Sequence, residues 1–235
     1  MSTGDPAPAG PRVVPYGDRA VLAILGEGVD TMLGRRVLAL AERVRAASMG
    51  GAAGWGAPVP GFASLLVPVD PARLHPDAAR AELAGWLTEI LATDPPAEPA
   101  GLVLEIPVRY GGADGPDLPE VAARCGLTEA QVAELHAASV YRVFCLGFVP
   151  GFAYLGPLPE RLALPRRPEP RLRVPEGSVA IAGRQTGVYP FATAGGWHLI
   201  GRTTVRPWDL RRDPPALLRP GDRVRFVPAG DEEGG

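Results

Sequence analysis

The side chains best suited to chemistry concentrate between His136 and Thr203, in a turn-rich part of the chain. His136 and Tyr141 come first, and both side chains can hold or transfer a proton, although a histidine at a helix end can also stabilise the helix dipole. The segment 165–175 (PRRPEPRLRVP) then supplies four arginines against a single carboxylate. Because arginine binds carboxylate or phosphate through paired hydrogen bonds, and proline stiffens the backbone, this segment favours an anion site. A solvated loop paired with surface acids is the alternative.

A second set of polar groups lies in a glycine-bounded turn, residues 183–187 (GRQTG), which Tyr189 follows. Glycine lets the backbone approach a ligand closely, and successive amides in such a turn can form an anion-binding nest. Gln185 and Thr186 add an amide and a hydroxyl group, whereas a plain β-turn with polar tips is the alternative. Farther on, Trp197 follows two glycines, and a tryptophan there is more typical of a core than of a ligand platform.

The segment 147–156 (GFVPGFAYLG) combines aromatic side chains with a backbone that glycine and proline interrupt. The Pro-Gly pair at its centre is predicted to form a turn. We expect the rings of Phe148, Phe152 and Tyr154 to divide between the protein core and the wall of a pocket. The segment therefore shapes a site whose chemistry belongs to its polar neighbours.

Composition excludes several classes of protein and cofactor. The net charge of −2 provides no overall field for nucleic acid or an anionic membrane. Lysine is absent, so all 24 basic residues are arginines, which excludes a P-loop lysine, a Schiff-base lysine and a biotinylated lysine on this chain. The three histidines are far apart in sequence and no C-x-x-C occurs, so we expect no metal site. Two isolated cysteines and the lack of a signal-peptide pattern favour a reduced, cytoplasmic protein.

Hydrophobic periodicity predicts two successive parts of the chain. The first part reads β-α-β-β-α, one strand short of a ferredoxin-like unit. Its predicted elements are a strand at 19–25, a helix capped by Asp30, strands at 57–60 and 62–69, and a helix over 77–91. A linker is predicted at 93–101.

The second part begins with a predicted strand at 102–110. Two short helices follow, each with capping-box spacing, one starting at Asp117 and the other at Thr128. The remaining pattern is one of short strands separated by proline and glycine, which favours a closed or nearly closed β-structure. These strands are predicted at 140–146, 178–182, 197–200 and 223–227.

The order and spacing of several motifs resemble the family of the 5-oxoprolinase B-type subunit, also called KipI or allophanate hydrolase subunit 1. The resemblance covers about residues 13–228, with small departures such as Ala194, where the family commonly has proline. The motifs that carry it are His136 with Tyr141, GFVPGFAYLG, PRRPEPR, VPEGSVAIAGRQTGVYPF, GGWHLIGRT and RPGDRVRFVP, together with PYGD and VPGFASLLVPVDP nearer the N-terminus.

The resemblance implies an α+β fold with two domains. We expect an N-terminal ferredoxin-like α/β domain over 13–95 and a C-terminal cyclophilin-like β-barrel over 96–228. The flanking residues 1–12 and 229–235 are expected to be disordered tails.

The resemblance also implies an enzyme subunit that is inactive alone. The expected reaction is the ATP-dependent opening of 5-oxo-L-proline to L-glutamate, by phosphorylation of the lactam, with magnesium accompanying ATP. The implied partners are a homologous second subunit, of the 5-oxoprolinase C-type or allophanate hydrolase subunit 2 type, and an amidohydrolase-like third subunit. Two alternatives remain: a KipI-type inhibitor that binds a sensor histidine kinase, and a urea or allophanate carboxyltransferase subunit, whose biotin would be on another chain.

Within this interpretation the polar groups receive provisional roles. The catalytic candidates are His136, Tyr141 and Gln185. The candidates for binding substrate or phosphate are Arg166, Arg167, Arg171, Gly183, Thr186 and Tyr189. Phe148 and Phe152 are expected to form the pocket wall.

Overall fold

The computed structural model describes residues 10–51, 54–95 and 102–230. The chain forms two compact units, Met1–Pro99 and Ala100–Gly235. Most of the linker predicted at 93–101 lies outside the described residues, as do residues 1–9 and 231–235 of the predicted tails. The tail prediction was wrong for Arg12, which begins a β-strand.

The N-terminal unit packs two helices against a four-stranded antiparallel sheet of order β1-β2-β4-β3. Asp30 caps the first helix as predicted, since its carboxylate accepts a hydrogen bond of 2.8 Å from the Leu33 amide. The elements are β1 (Arg12–Pro15), β2 (Ala20–Ile24), α1 (Thr31–Met49), β3 (Val59–Pro60), β4 (Ser64–Pro68) and α2 (Pro76–Ala92).

Strand β1 is the element of this unit that the sequence prediction missed. It pairs antiparallel with β2, from Arg12 opposite Ile24 to Pro15 opposite Val21. The chain order is therefore β-β-α-β-β-α, whereas a ferredoxin-like unit has the order β-α-β-β-α-β. The additional strand, β1, precedes the other three, whereas the last strand of a ferredoxin-like unit follows the second helix. The ferredoxin-like class therefore stays a prediction for this unit.

The C-terminal unit contains a closed seven-stranded barrel of order β10-β7-β6-β13-β5-β12-β9. Strand β13 closes it by running parallel to β5 on one side and antiparallel to β6 on the other. The elements are β5 (Val103–Tyr110), α3 (Leu118–Cys125), α4 (Glu129–Ala138), β6 (Val140–Leu146), β7 (Ala153–Gly156), β8 (Arg171–Val174), β9 (Ser178–Ala182), β10 (Gln185–Val188), β11 (Thr193–Gly195), β12 (His198–Arg202) and β13 (Arg223–Pro228).

Strand β9 is buried on both faces because two apolar clusters lie on opposite sides of it. Successive side chains in a strand alternate between faces. Val179 and Ile181 belong to the large barrel core, whereas Ala180 and Ala182 belong to a second, smaller cluster. That smaller cluster is covered by a two-stranded ribbon of β8 and β11, which lies outside the barrel order.

The two capping-box predictions had different outcomes. Thr128 forms the reciprocal pair with Gln131, with hydrogen bonds of 3.2 and 2.9 Å. Asp117 precedes α3 but makes no side-chain cap, so the prediction was wrong for this residue. Its carboxylate is committed to tertiary contacts, described below.

No helix among the described residues is long and apolar enough to cross a bilayer.

The capping box of α4 gives a direct test of the local sequence signal. Thr128→Ala removes the acceptor for the Gln131 amide and should lower the free energy of unfolding by about 1 kcal/mol. Thr88→Ala is the matched control, because the Thr88 hydroxyl lies on an exposed part of α2 and bonds only to the Ala84 carbonyl. Chemical denaturation measures both, and an equal loss in the two variants would contradict the capping role.

Candidate functional site

A pocket of about 250 Å³ opens in the C-terminal unit, beside the smaller apolar cluster. It is formed by the segment 147–156, by the arginine segment that leads into β8, and by the turn between β11 and β12. The residues that line it are Phe148, Phe152, Tyr154, Arg166, Pro170, Tyr189, Ala194, Gly195, Gly196 and Trp197. Four of the residues that received provisional roles from the sequence therefore meet here, Phe148, Phe152, Arg166 and Tyr189, and Tyr154 joins them.

Phe152 is the centre of the pocket's aromatic wall. Its ring makes edge-to-face contacts with Tyr154, Tyr189 and Trp197 at centroid distances of 5.0, 5.3 and 5.5 Å. Such arrangements are favourable because the positive edge of one ring meets the negative face of another. Trp197 is buried, so it belongs to the core and to the pocket wall at once.

The turn within 147–156 places Phe148 at the pocket in an unusual backbone conformation. Phe148 has φ +67°, and it is the only non-glycine residue among the described ones with a positive φ. For a bulky residue this conformation costs about 1–3 kcal/mol. Gly151 permits the close approach behind the turn, since a Cβ there would lie 2.7 Å from the Cβ of Trp208.

Arg166 supplies the positive charge of the pocket. Its side chain has no hydrogen-bond or ion-pair partner among the residues that the structure describes. Burial raises the pKa of the Tyr189 phenol to about 12, although the Trp197 backbone amide and the Arg166 guanidinium both act to lower it. Burial likewise raises the pKa of Tyr154, against the influence of Arg166. At neutral pH the pocket thus combines one cation with two uncharged phenols.

The turn opposite the aromatic wall requires glycine. A Cβ on Gly195 would lie 2.2 Å from the phenolic oxygen of Tyr189, so a larger residue would displace that ring. The carbonyl of the next residue, Gly196, accepts a hydrogen bond of 2.8 Å from the Arg167 amide. This contact ties the turn to the segment that carries Arg166.

Asp117 holds the arginine segment in place. Its buried carboxylate accepts hydrogen bonds from Arg167 at 2.9 Å and from both terminal nitrogens of Arg171 at 2.8 and 2.6 Å. A fourth hydrogen bond, of 2.7 Å, comes from the Leu199 amide of β12. Arg167 and Arg171 were predicted to bind an external anion, but in this structure they bind an internal carboxylate.

His198 fixes the residue that precedes Arg166. Its ring is fully buried, and Nε2 donates to the Pro165 carbonyl at 2.9 Å. The other ring nitrogen, Nδ1, has no hydrogen-bond partner within the described part of the chain. Three separate contacts, to Asp117, Gly196 and His198, therefore determine where Arg166 lies.

His136, Tyr141 and Thr186 lie within the barrel, away from this pocket. The fully buried His136 bonds through Nε2 to the Thr186 hydroxyl at 2.8 Å and through Nδ1 to the Tyr110 hydroxyl at 2.7 Å. Thr186 donates its own proton to the Ala180 carbonyl, so His136 Nε2 must be the donor and Nδ1 the acceptor. Tyr141 donates to the His136 carbonyl at 2.8 Å.

This internal chain of hydrogen bonds is built to remain uncharged. Burial lowers the pKa of His136 to about 3 and raises the pKa of Tyr110 and of Tyr141 well above the usual value. The ring of His136 also stacks on Phe226 at a centroid distance of 4.6 Å. His136 and Tyr141, the predicted catalytic residues, and Thr186, predicted to bind substrate or phosphate, thus bond to one another or to the backbone and do not line the pocket.

Gln185 and Gly183 lie at the turn between β9 and β10 and do not line the pocket. Strand alternation places Gln185 on the face opposite Thr186. Gly183 has φ +56°, as a glycine turn requires, and its amide bonds to the Leu164 carbonyl at 2.6 Å. The amide nest predicted at this turn therefore has at least one of its donors occupied internally.

Sequence reasoning missed the role of Asp117, which was interpreted as a helix cap. It also undervalued the Gly-Gly-Trp turn, whose residues supply one wall of the pocket. The spacing of arginines signalled a carboxylate partner, but not that the partner belongs to the same chain.

Comparison with known proteins defines the class of protein first. Residues 11–218 match the family model for the carboxyltransferase domain, subdomain C and D, and the chain belongs to this family. Its fold is shared with the urea carboxylase of Kluyveromyces lactis, at a TM-score of 0.71 and 21% identity, over 94% of this chain and 22% of that one. The crystal structure of TTHA0988 is similar at a TM-score of 0.76 and 43% identity, covering 92% of this chain and 41% of that longer chain.

Within this family, a more specific similarity is to the B-type subunit of 5-oxoprolinase from Escherichia coli O157:H7. The two sequences are 56% identical over 171 residues, which cover 72% of this chain and 76% of that protein.

The contacts of Asp117 predict a large and specific loss of stability on substitution. Asp117→Asn replaces one of the two carboxylate oxygens, so that a single acceptor oxygen remains for the four donors. We expect the free energy of unfolding to fall by about 3 kcal/mol. Asp114→Asn is the matched control, because Asp114 pairs with the exposed Arg109 and its loss should cost about 1 kcal/mol or less. Denaturant titration of both variants decides the matter, and equal losses would refute the central role of Asp117.

Because His136 is buried, we expect the folded protein to lose stability in acid. The pKa of this histidine is lower in the folded than in the unfolded chain, so the unfolded state binds the additional proton once the pH falls below about 6.5. Stability should then fall by up to about 1.4 kcal/mol per pH unit from this group. His136→Gln should flatten the dependence between pH 6.5 and 5, measured by thermal unfolding. An unaltered slope in the His136 variant would contradict the assignment.

Proposed function

We propose that this chain is the B-type subunit of an ATP-dependent 5-oxoprolinase, which opens 5-oxo-L-proline to L-glutamate. The observation that carries the proposal is the small aromatic pocket with one unpaired arginine, found in a chain 56% identical to the B-type subunit of a known 5-oxoprolinase. Its volume of about 250 Å³ is below the roughly 300–1,000 Å³ of pockets for drug-sized ligands, so it suits a single small ring with a carboxylate.

The chemistry follows from the low reactivity of an amide. Transfer of the γ-phosphoryl group of ATP to the lactam oxygen makes the ring carbon more electrophilic. Water then adds to that carbon, the carbon–nitrogen bond breaks to release the amine, and a further water releases phosphate to leave the second carboxylate of glutamate. Magnesium would accompany ATP and neutralise charge on its phosphates.

In this proposal the chain binds and orients the lactam. Arg166 holds the substrate carboxylate through charge-assisted hydrogen bonds. The aromatic wall around Phe152 excludes water from the ring, and the neutral phenol of Tyr189 can donate or accept a hydrogen bond beside it. Neither group requires a change of charge during the reaction.

The small number of cations in the pocket supports the requirement for a second subunit. A nucleoside triphosphate needs several cations or amide donors, and this pocket offers one free guanidinium among the described residues because Arg167 and Arg171 are committed to Asp117. We propose that the homologous second subunit, of the 5-oxoprolinase C-type, supplies most of the phosphate contacts. The chain alone would then be inactive, and an amidohydrolase-like third subunit would complete the complex. A cytoplasmic location for this chain is part of the same proposal.

The two alternative functions receive less support. The similarity to the Kluyveromyces lactis urea carboxylase, at 21% identity, shows a shared fold and gives no information on substrate. No described feature of the structure favours an inhibitor of a sensor histidine kinase over an enzyme subunit.

The role of Arg166 can be tested in the reconstituted complex. Arg166→Ala should reduce ATP-dependent glutamate formation from 5-oxo-L-proline at least tenfold, because the substrate carboxylate loses its only cationic partner in the pocket. Arg173→Ala is the matched control, since Arg173 is exposed on the same segment and does not line the pocket. Wild-type turnover in the Arg166 variant would remove this pocket from the active site, and glutamate formation without ATP would refute the mechanism.

A further inference from the structure

We propose that Phe148 is a specificity-determining residue, held in a strained backbone conformation so that its ring closes the pocket over a five-membered lactam carboxylate. This inference rests on the proposed function and adds to it the residue that recognises the ring of the substrate. It follows from the backbone, exposure and contacts of Phe148, and from the chemistry of the opposite end of the pocket.

The backbone of Phe148 is better suited to glycine. Its φ of +67° lies in the left-handed region, which glycine adopts without steric cost. Glycines stand close by at positions 147 and 151, so the segment already uses glycine where the backbone alone matters. A phenylalanine at this position indicates that the ring itself is needed.

Burial in the core does not account for that ring. Phe148 is 58% exposed, so much of its apolar surface remains in contact with water. It makes edge-to-face contacts with Phe152 at 5.6 Å and with Tyr189 at 6.5 Å, and both of those residues line the same pocket. A ligand in the pocket would cover apolar surface of Phe148 that water now contacts, and would thereby offset the strain.

The rest of the pocket indicates what that ligand is. Arg166 can bind one carboxylate, while the rings of Phe148, Phe152 and Tyr189 provide an apolar surface for a small saturated ring. Ala194, Gly195 and Gly196 line the pocket opposite these rings and add no charged side chain to it. A small ring that carries one carboxylate, such as the lactam of the proposed reaction, satisfies both features.

The experiment measures KM for 5-oxo-L-proline and for ATP separately in the reconstituted complex. Phe148→Gly should raise KM for 5-oxo-L-proline at least tenfold and leave KM for ATP within twofold of wild type. Because glycine relieves the strained backbone, its midpoint of thermal unfolding should equal or exceed that of wild type. Phe148→Ala should show the same change in KM but unfold at a lower temperature than Phe148→Gly, since alanine retains the strain.

Leu210→Gly is the control for loss of an exposed apolar side chain, because Leu210 is 80% exposed and does not line the pocket. Unchanged KM for 5-oxo-L-proline in Phe148→Gly would overturn the inference, while loss of activity in Arg166→Ala would keep the proposed function. A rise in KM for ATP alone would assign the pocket to the nucleotide and would also overturn the inference.

A binding measurement separates the two proposals if the wild-type complex forms no glutamate. Saturation-transfer NMR with the full chain and its second subunit should detect 5-oxo-L-proline, and the signal should be lost in Phe148→Gly. Pyrrolidin-2-one, the same ring without the carboxylate, should give a much weaker signal. Binding with this pattern would support the pocket assignment despite the failed reaction, and its absence would refute the assignment.

Discussion

The carboxylate of Asp117 accepts four hydrogen bonds in a buried position, and the pocket depends on it. Arg167 of the segment before β8, Arg171 at the start of β8 and the Leu199 amide of β12 all donate to this group. The contact joins the start of α3, the ribbon and the barrel wall, which are far apart in sequence. Since a buried carboxylate without these donors would be costly, the three elements are stable only together. Arg166 owes its position to that shared constraint.

Strand alternation explains why the polar residues form two separate systems. Strand β9 presents Ile181 to the barrel core and Ala180 to the cluster beneath the ribbon. The chain of hydrogen bonds through His136 and Thr186 belongs to the inner side, where burial keeps each group neutral. The aromatic pocket belongs to the outer side and includes Arg166. Residues close in sequence can therefore have unrelated roles.

The pocket is suited to binding and less suited to handling phosphate. Its free charge is a single guanidinium, and its other polar groups are neutral phenols and backbone amides. A group that binds a substrate carboxylate must be preorganised, because ordering it during catalysis would cost entropy. Here the ordering is provided in advance by Asp117, Gly196 and His198. Under the proposed function, a second subunit provides the electrostatic stabilisation of a transferring phosphoryl group.

The sequence by itself determined most secondary structure, the Thr128 capping box and the family, because these depend on local spacing and on motif order. It also predicted that the aromatic segment and the arginine segment belong together, and both line the same pocket. Only the tertiary structure decided which side of the barrel wall each polar residue occupies and which arginine remains unpaired. The sequence could not show that Asp117 lies beside Arg167 and Arg171, about fifty residues away along the chain. Long-range pairing of charges depends on the three-dimensional fold, and no local pattern records it.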